Sequence, residues 1–238
     1  MPQTCAIILA GGAGTRMGKG MPKQFLPLGG HAIIEWTVAL FEHNENVDTI
    51  VMVSPPDYMD KIRALVEMRG PNKVSAIVSG GPTRRDSSWN GLTAADFGDG
   101  DIVLIHDAAR PFAARATIDG CIETAKQFGA AGAYVKAVDT ISEISGDEVV
   151  AIPPRDSLYY TQTPQAFRYD VIRLAHEKAR TSGISTATDD VSLAIAAGFR
   201  VVRVEGSYGN IKITTQSDYD YACYLVEKGL VLFGGAGP

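Results

Sequence analysis

A glycine-rich loop directly after a short apolar run constrains this chain more than any other feature. The apolar run occupies residues 6–9, and Arg16 and Lys23 lie within and just after the loop. Glycine permits tight turns and has no Cβ, so such a loop can bring backbone N–H groups close to phosphates. The glycines of this loop are Gly11, Gly12, Gly14 and Gly18. Because two cations accompany them, the sequence predicts a nucleotide site with Arg16 and Lys23 as its charged groups.

Two familiar nucleotide motifs do not match this loop. A P-loop needs a glycine and a hydroxyl residue where the chain has Ala13 and Gly20. A dinucleotide fingerprint needs a third glycine where the chain has Met17, and an acid near the end of the second strand, where it has Ser54. A plain strand-to-helix turn remains an alternative, but it explains only the glycines and not the two cations.

Composition narrows the functional class. The chain has 238 residues, of which 45% are apolar and 21% charged, as in an ordinary soluble globular protein. Its net charge of −5 argues against a nucleic-acid partner. The three cysteines show no spacing typical of a zinc site or disulfide framework, and the N-terminal apolar run is too short for a membrane anchor. We therefore expect a cytoplasmic protein with no membrane association.

Short apolar runs alternate with longer segments of helical periodicity. This alternation predicts an α/β fold, a mostly parallel twisted sheet flanked by helices in a Rossmann-like manner. The predicted strands are 6–9, 49–54, 74–79, 102–106, 131–137 and 200–205, and the predicted helices are 32–42, 57–68, 86–95, 116–128, 169–179, 189–197 and 217–228. We expect one domain over 1–230 and a flexible tail over 231–238. Ligands of such sheets bind at the carboxyl ends of the strands.

One stretch departs from this rhythm. Residues 139–160 alternate in polarity around a Ser-Gly-Asp turn at 145–147, which predicts a protruding β-hairpin arm. Residues 161–165 are expected to form a polar, proline-set turn at its base. The arm would expose the apolar or aromatic side chains of Val149, Val150, Ile152 and Tyr159. Because such an edge alone favours aggregation, the arm is expected to contact a second subunit in a homodimer.

Further segments carry candidate chemistry at the ends of predicted strands. Residues 80–87 form a second glycine turn that contains Gly81, Arg84 and Ser87. Asp107 follows a strand, where a carboxylate is able to hold Mg²⁺, and Lys212 follows another. Each has a structural alternative, for example a local ion pair between Asp107 and Arg110. Their joint occurrence favours a site.

Together these segments resemble the 2-C-methyl-D-erythritol 4-phosphate cytidylyltransferase family. The resemblance runs from Ala6 to about Lys228. It rests on the loop at 9–18 with P-K-Q at 22–24, G-G-x-x-R-x-x-S at 80–87, H-D-A-A-R-P at 106–111, T-Q-T-P-Q at 161–165, T-D-D at 188–190 and N-I-K-I-T at 210–214. It implies a nucleotidyltransferase fold, a homodimer with interlocked arms, and Mg²⁺-dependent transfer of CMP from CTP to a polyol phosphate.

The resemblance also implies roles for individual residues. The catalytic cations would be Arg16, Lys23 and Lys212, and Asp107 would lie near the metal. CTP would be bound at Ala10, Gly11, Gly12, Gly14, Gly81, Arg84 and Ser87. Thr140 and Arg155 on the arm would hold the acceptor phosphate in the neighbouring subunit's site.

The acceptor is less firmly indicated than the reaction. The Leu9-Ala10-Gly11-Gly12 stretch is also similar to that of ribitol-5-phosphate cytidylyltransferases, so a pentitol phosphate is the alternative acceptor. A nucleotide-binding module without activity is a further alternative, but the charged positions Arg16, Lys23, Asp107 and Lys212 are all present. Trp89 stands where the family favours a smaller apolar residue, and we expect it to lie on a helix face that packs on the sheet.

Overall fold

Seven strands form one mixed sheet in the computed structural model, which describes residues 2–11, 21–181 and 188–235. Two small antiparallel ribbons lie beside it. The large sheet has the order β11-β7-β10-β6-β1-β4-β5. The strands are β1 Thr4–Leu9, β2 Pro27–Leu28, β3 His31–Ala32, β4 Thr49–Ser54, β5 Val74–Ser79, β6 Ile102–Asp107, β7 Ala130–Lys136, β8 Glu143–Ser145, β9 Glu148–Ala151, β10 Tyr159–Arg168 and β11 Val202–Glu205. The ribbons pair β2 with β3 and β8 with β9.

The sheet is mostly parallel, which confirms the predicted fold class. β1 pairs in parallel with both β4 and β6, whereas β10 is antiparallel to β6 and β7. The prediction of a turn at 161–165 was wrong, because these residues belong to β10. The register against β7 shifts between Thr161 and Gln165. Pro164 is accommodated at this irregularity, where no regular ladder needs its missing N–H.

The described part of the chain has seven helices, of which the first six cover the two faces of the sheet and the seventh packs in a separate apolar cluster. The helices are α1 Ile33–Glu42, α2 Met59–Arg69, α3 Arg84–Leu92, α4 Arg115–Phe128, α5 Tyr169–Thr181, α6 Asp190–Ala196 and α7 Gln216–Glu227. Side chains of β1 alternate between two apolar cores: Ile8 packs with α1, α2 and α4, and Ile7 packs with α3, α5 and α6. All of β1 is therefore buried, as its unbroken apolar run predicts. No described helix is long and apolar enough to cross a membrane.

The arm and the C-terminal segment lie at the periphery of this sheet. The β8–β9 hairpin occupies the centre of the predicted arm, and every residue of β9 is exposed. The sequence predicts a flexible tail from residue 231, but the structure packs Val231 against a third apolar cluster. The Phe233 ring also stacks on His31 at a centroid distance of 3.9 Å. Residues 236–238 lie outside the described part of the chain.

The contact between α3 and the sheet makes Gly91 a sensitive position. A Cβ there would lie 2.5 Å from Ile7 Cγ2 and 3.0 Å from Val53 Cγ2. Gly91→Ala is expected to lower the free energy of unfolding by about 2 kcal/mol, because overpacking outweighs the helix propensity gained. Gly100→Ala is the matched control, since a Cβ there would meet only Pro2 Cγ at 3.9 Å. Urea unfolding that shows equal stability for the two variants would contradict this close contact.

Candidate active site

A cleft of about 290 Å³ opens where the carboxyl ends of β1 and β6 meet the N-terminal end of α3. Ser87, on the first turn of α3, lies beside the residues that follow β1, since a Cβ at Gly11 would be 3.3 Å from Ser87 Oγ. The predicted site residues that line the cleft are Ala10, Gly11, Lys23, Gly81, Arg84, Ser87, Asp107 and Lys212. The two glycine turns and the acidic motif, each of which follows a predicted strand, thus meet at one edge of the sheet among the described residues.

The start of the first glycine loop is held by backbone and amide hydrogen bonds. The Ala10 N–H donates to the Val53 carbonyl oxygen at 2.8 Å, and Gln24 Nε2 donates to the Ala10 carbonyl oxygen at 2.6 Å. Gln24 is buried, and we had assigned it no role from the sequence. Its position in P-K-Q was the available signal. Gly12, Gly14 and Arg16 lie in residues 12–20, outside the described part of the chain.

The second glycine turn is shaped around Ser87. The Gly81 N–H donates to Ser87 Oγ at 3.1 Å, and Ser87 Oγ donates to the Thr83 carbonyl oxygen at 3.0 Å. A Cβ at Gly81 would approach Asp86 Cβ to 2.4 Å, so only glycine fits there. Thr83 and Asp86 cap α3 reciprocally, with the Asp86 N–H donating to Thr83 Oγ1. Ser87 is therefore a support of the turn rather than a helix cap.

Asp107 carries the negative charge of the cleft and is surrounded by three cations. Its carboxylate lies 2.8 Å from Lys212 Nζ, 3.7 Å from Arg84 Nε and 3.7 Å from Arg110 Nε. The side chain is only 13% exposed. Burial by itself raises the pKa of Asp107, but Lys212 and Arg84 outweigh it and hold that pKa well below its usual range. The carboxylate is therefore ionised at neutral pH.

The loop that carries Lys212 is fixed by hydrogen bonds. The Ile213 N–H donates to the Ala109 carbonyl oxygen at 2.9 Å, and Arg110 Nη1 donates to the Asn210 carbonyl oxygen at 2.8 Å. Asn210 Nδ2 in turn donates to the Thr163 carbonyl oxygen on β10 at 2.8 Å. Thus β10, which the sequence did not reveal as a strand, helps to place Lys212 beside Asp107.

His106 is not a proton donor for this cleft. It is fully buried, and its Nε2 lies 3.0 Å from the Arg110 carbonyl oxygen. Burial lowers the pKa of His106 to about 4, so the ring is neutral at pH 7. Its ring also packs edge-on against Phe41 at a centroid distance of 5.0 Å. The residue fixes the turn that presents Asp107 and Arg110.

A buried polar cluster that we did not identify from the sequence lies behind Arg84. Asp190 is completely buried and accepts from Arg84 Nη1 at 2.5 Å, from Ser88 Oγ at 2.6 Å and from His176 Nε2 at 3.1 Å. Burial alone raises the pKa of Asp190, but Arg84 and the hydrogen bonds outweigh it and lower this pKa to about 2. The T-D-D motif was the available signal for Asp190, whereas nothing in the sequence pointed to His176.

The two predicted acceptor residues are not part of the cleft as it is built within one chain. Thr140 and Arg155 are both exposed near the base of the arm. Arg155 Nη1 donates to the Val138 carbonyl oxygen at 3.1 Å, which ties the two sides of the arm together. Their predicted role at a neighbouring subunit stays a prediction.

The cleft suits a divalent cation that is bound mainly by the substrate. No group of three or more potential metal-ligating side chains occurs among the described residues. Asp107 is the only carboxylate among the described residues that line the cleft. Mg²⁺ commonly binds through one or two carboxylates together with phosphate oxygens and water. The donor set therefore fits Mg²⁺ bound to a triphosphate with Asp107 as its protein ligand.

Comparison with known proteins identifies relatives along nearly the whole chain. A bifunctional enzyme IspD/IspF from Desulforudis audaxviator is 44% identical over 237 residues, which cover 98% of this chain and 59% of that protein. This chain thus spans about three fifths of that relative's length. A 2-C-methyl-D-erythritol 4-phosphate cytidylyltransferase from Clostridium perfringens is 40% identical over 95% of this chain and its own full length.

Solved structures agree with the sequence relatives. The crystal structure of 4-diphosphocytidyl-2C-methyl-D-erythritol synthase from Anaerococcus prevotii is 32% identical, with a TM-score of 0.82. The match covers 95% of this chain and 96% of that one. The family model described as IspD, 2-C-methyl-D-erythritol 4-phosphate cytidylyltransferase, matches residues 4–228. Because this family model matches nearly the whole chain, and a curated member is 40% identical over 95% of it, the chain belongs to the 2-C-methyl-D-erythritol 4-phosphate cytidylyltransferase family.

Proposed function

We propose that this chain transfers a cytidylyl group from CTP to 2-C-methyl-D-erythritol 4-phosphate and releases pyrophosphate. The observation that carries the proposal is the juxtaposition of Asp107 with Lys212 and Arg84, in a cleft bordered by two glycine turns. This arrangement offers backbone groups for a nucleotide and cations for its phosphates. Membership of the family supports CTP as the nucleotide and 2-C-methyl-D-erythritol 4-phosphate as the acceptor.

The reaction is a direct displacement at phosphorus. An oxygen of the acceptor phosphate forms a bond to the α-phosphorus of CTP, and the bond from that phosphorus to the bridging oxygen breaks. Pyrophosphate leaves with the electron pair. The described lining residues include no histidine or cysteine, and Ser87 Oγ is engaged with Gly81 and Thr83. Catalysis therefore depends on positioning and charge stabilisation, not on a covalent enzyme intermediate.

Three basic side chains and a metal ion share the neutralisation of phosphate charge in this proposal. Lys212, together with Lys23 and Arg16, neutralises charge on the triphosphate and on the pentacoordinate transition state. When bound, Mg²⁺ neutralises further phosphate charge. Asp107 is suited to hold it, because its carboxylate is ionised and lines the cleft. The cytosine is bound by the backbone of Gly11 and by the carbonyl oxygens of Ala10 and Gly81, because the N–H groups of those two residues already donate within the protein. Ser87 fixes the shape of that pocket.

We also propose a cytoplasmic homodimer in which the arm of one subunit reaches the cleft of the other. The apolar side chains of Val149, Val150 and Ile152 are between 53% and 62% exposed. This exposure supports a partner surface on the arm. Thr140 and Arg155 near its base would then hold the acceptor phosphate. All three cysteines are free thiols, as is common for proteins of a reducing compartment.

A mixing experiment tests the contribution of the arm across the dimer. Arg155→Ala and Lys212→Ala are each expected to be nearly inactive alone. Co-refolded in equal amounts, they are expected to regain about a quarter of the wild-type rate, because half of the dimers are mixed and each holds one intact site. Mixed dimers that form but regain no activity would show that Arg155 acts within its own subunit. Full activity of Arg155→Ala alone would show that Arg155 has no role in the reaction.

Acceptor competition tests the proposed reaction. Pyrophosphate release from CTP and Mg²⁺ is measured in parallel with 2-C-methyl-D-erythritol 4-phosphate and with ribitol 5-phosphate. We expect a higher kcat/KM for the methylerythritol phosphate. A preference for ribitol 5-phosphate would keep the mechanism and replace the acceptor. No turnover of either acceptor by folded protein would contradict the proposal.

A further inference from the structure

The orientation of Arg84 is the least expected feature of the cleft. Its guanidinium lies between two carboxylates, with Nη1 2.5 Å from Asp190 Oδ2 and Nε 3.7 Å from Asp107 Oδ1. Asp107 lines the cleft, whereas Asp190 lies behind it. Burial opposes the charge on Arg84, but Asp190 and Asp107 outweigh this effect and raise its pKa. The side chain is thus a permanent cation with two competing acceptors.

Asp190 is held more firmly than a simple counterion requires. Ser88 Oγ and His176 Nε2 both donate to its Oδ1, which leaves Oδ2 for Arg84. Its backbone N–H donates to Gln165 Oε1 on β10 at 3.1 Å. The carboxylate is therefore fixed by α3 and α5, and the backbone of Asp190 is fixed by β10, so the carboxylate has little freedom to follow Arg84 if that side chain moves.

Trp89 closes the outer side of this cluster. Its ring lies 5.8 Å from the His176 ring, and the Arg180 guanidinium lies 5.1 Å from the Trp89 ring. Trp89 thus packs α3 against α5, whereas its expected packing against the sheet stays a prediction. Because His176 is fully buried and Trp89 packs against its ring, the hydrogen bond from His176 to Asp190 is protected from water.

We propose that Asp190 is a positioning residue for the transfer reaction: fixed by Ser88 and His176, it holds Arg84 away from Asp107 and directs the guanidinium toward the nucleotide. The inference rests on the proposed function. Without Asp190, the described carboxylate nearest to Arg84 is Asp107, at 3.7 Å, which is already paired with Lys212. Arg84 then moves onto Asp107, competes with Lys212, and offers fewer N–H groups to the nucleotide.

A double-mutant cycle tests this inference. The variants are Asp190→Asn, Arg84→Ala and the two combined, measured for kcat/KM with saturating acceptor and for CTP binding by calorimetry. Asp190→Asn is expected to reduce kcat/KM for CTP about thirtyfold, mostly through a higher KM. Arg84→Ala is expected to reduce it about a hundredfold. If Asp190 acts through Arg84, the double variant is no worse than Arg84→Ala alone.

Two further variants separate positioning from a general structural role. Glu177→Gln removes a carboxylate charge next to His176 on α5. Because Glu177 forms a partly exposed pair with Arg173 at 2.8 Å, the kcat/KM of this variant is expected to change less than about twofold. Ser88→Ala keeps the Asp190 charge but removes one of its donors, and it serves if Asp190→Asn does not fold. It is expected to raise the KM for CTP several-fold and, combined with Arg84→Ala, to add nothing.

The outcomes are distinguishable. If the loss of kcat/KM in a folded double variant equals the product of the two single losses, the positioning role is overturned. Equal losses in Glu177→Gln and Asp190→Asn would overturn it as well. Failure of the wild-type chain to bind CTP or release pyrophosphate would overturn the proposed function, and the inference with it.

Discussion

Replacing Lys212 with alanine is expected to reduce kcat/KM about a hundred- to a thousandfold, which corresponds to roughly 3–4 kcal/mol of transition-state stabilisation. Its Nζ lies 2.8 Å from Asp107, and its side chain is 41% exposed and lines the cleft. A cation in this position neutralises charge that develops on the phosphates during displacement. Steady-state pyrophosphate release gives the measurement. Lys212→Arg is expected to recover part of the loss, since it restores charge with a different shape.

The matched control is a lysine with a similar ion pair outside the cleft. Lys126 Nζ lies 2.9 Å from Glu123 on α4, and both side chains are largely exposed. Lys126→Ala is expected to leave kcat/KM within about twofold, because exposed pairs contribute little. A loss below tenfold in folded Lys212→Ala would show that this lysine is a partner of Asp107 and not a catalytic group.

Replacing Asp107 with asparagine is expected to have the second largest effect. We expect kcat/KM to fall about a hundredfold and the Mg²⁺ concentration for half-maximal rate to rise. The free energy of unfolding at pH 7 is expected to fall by about 2 kcal/mol, because Lys212, Arg84 and Arg110 lose a common counterion. Rates over a Mg²⁺ titration and urea unfolding give the two measurements.

The same variant is expected to change how stability depends on pH. The pKa of Asp107 is lower in the folded chain than in the unfolded one, so its contribution is present above about pH 4, the unfolded value. That contribution is lost as the pH falls toward the folded pKa. Asp107→Asn is therefore expected to lose less stability than the wild type between pH 5 and pH 3. An unchanged slope in this range would contradict the cation cluster around Asp107.

The sequence predicts the parallel part of the sheet because that part depends on local patterns. The unbroken apolar run of β1 and the glycine turns after β1 and β5 can each be recognised from a few consecutive residues. β10 was missed for a physical reason. It contains Gln162, Thr163, Pro164 and Gln165, and its polar side chains are satisfied by partners far along the chain, such as Asn210 and Asp189.

The candidate site likewise contains residues that local motifs predict and residues that come together only in the folded chain. Asp107 and Lys212 were predictable because each follows a strand in a recognisable motif. The cluster behind Arg84 was not, since Arg84 and Asp190 are 106 residues apart and meet only when α3 and α6 pack on the same face of the sheet. His176 sits on the buried face of α5, where its sequence context is that of any amphipathic helix.

The stereochemical course at the α-phosphorus tests the central claim most directly. The claim is that the acceptor phosphate displaces pyrophosphate in one in-line step, with no covalent enzyme intermediate. A single diastereomer of CTP with sulfur at the α-phosphorus is turned over with 2-C-methyl-D-erythritol 4-phosphate, and the configuration of the diphosphate product is determined by ³¹P NMR. The account predicts inversion. Retention would require two successive displacements, and therefore an enzyme nucleophile that the proposed mechanism excludes.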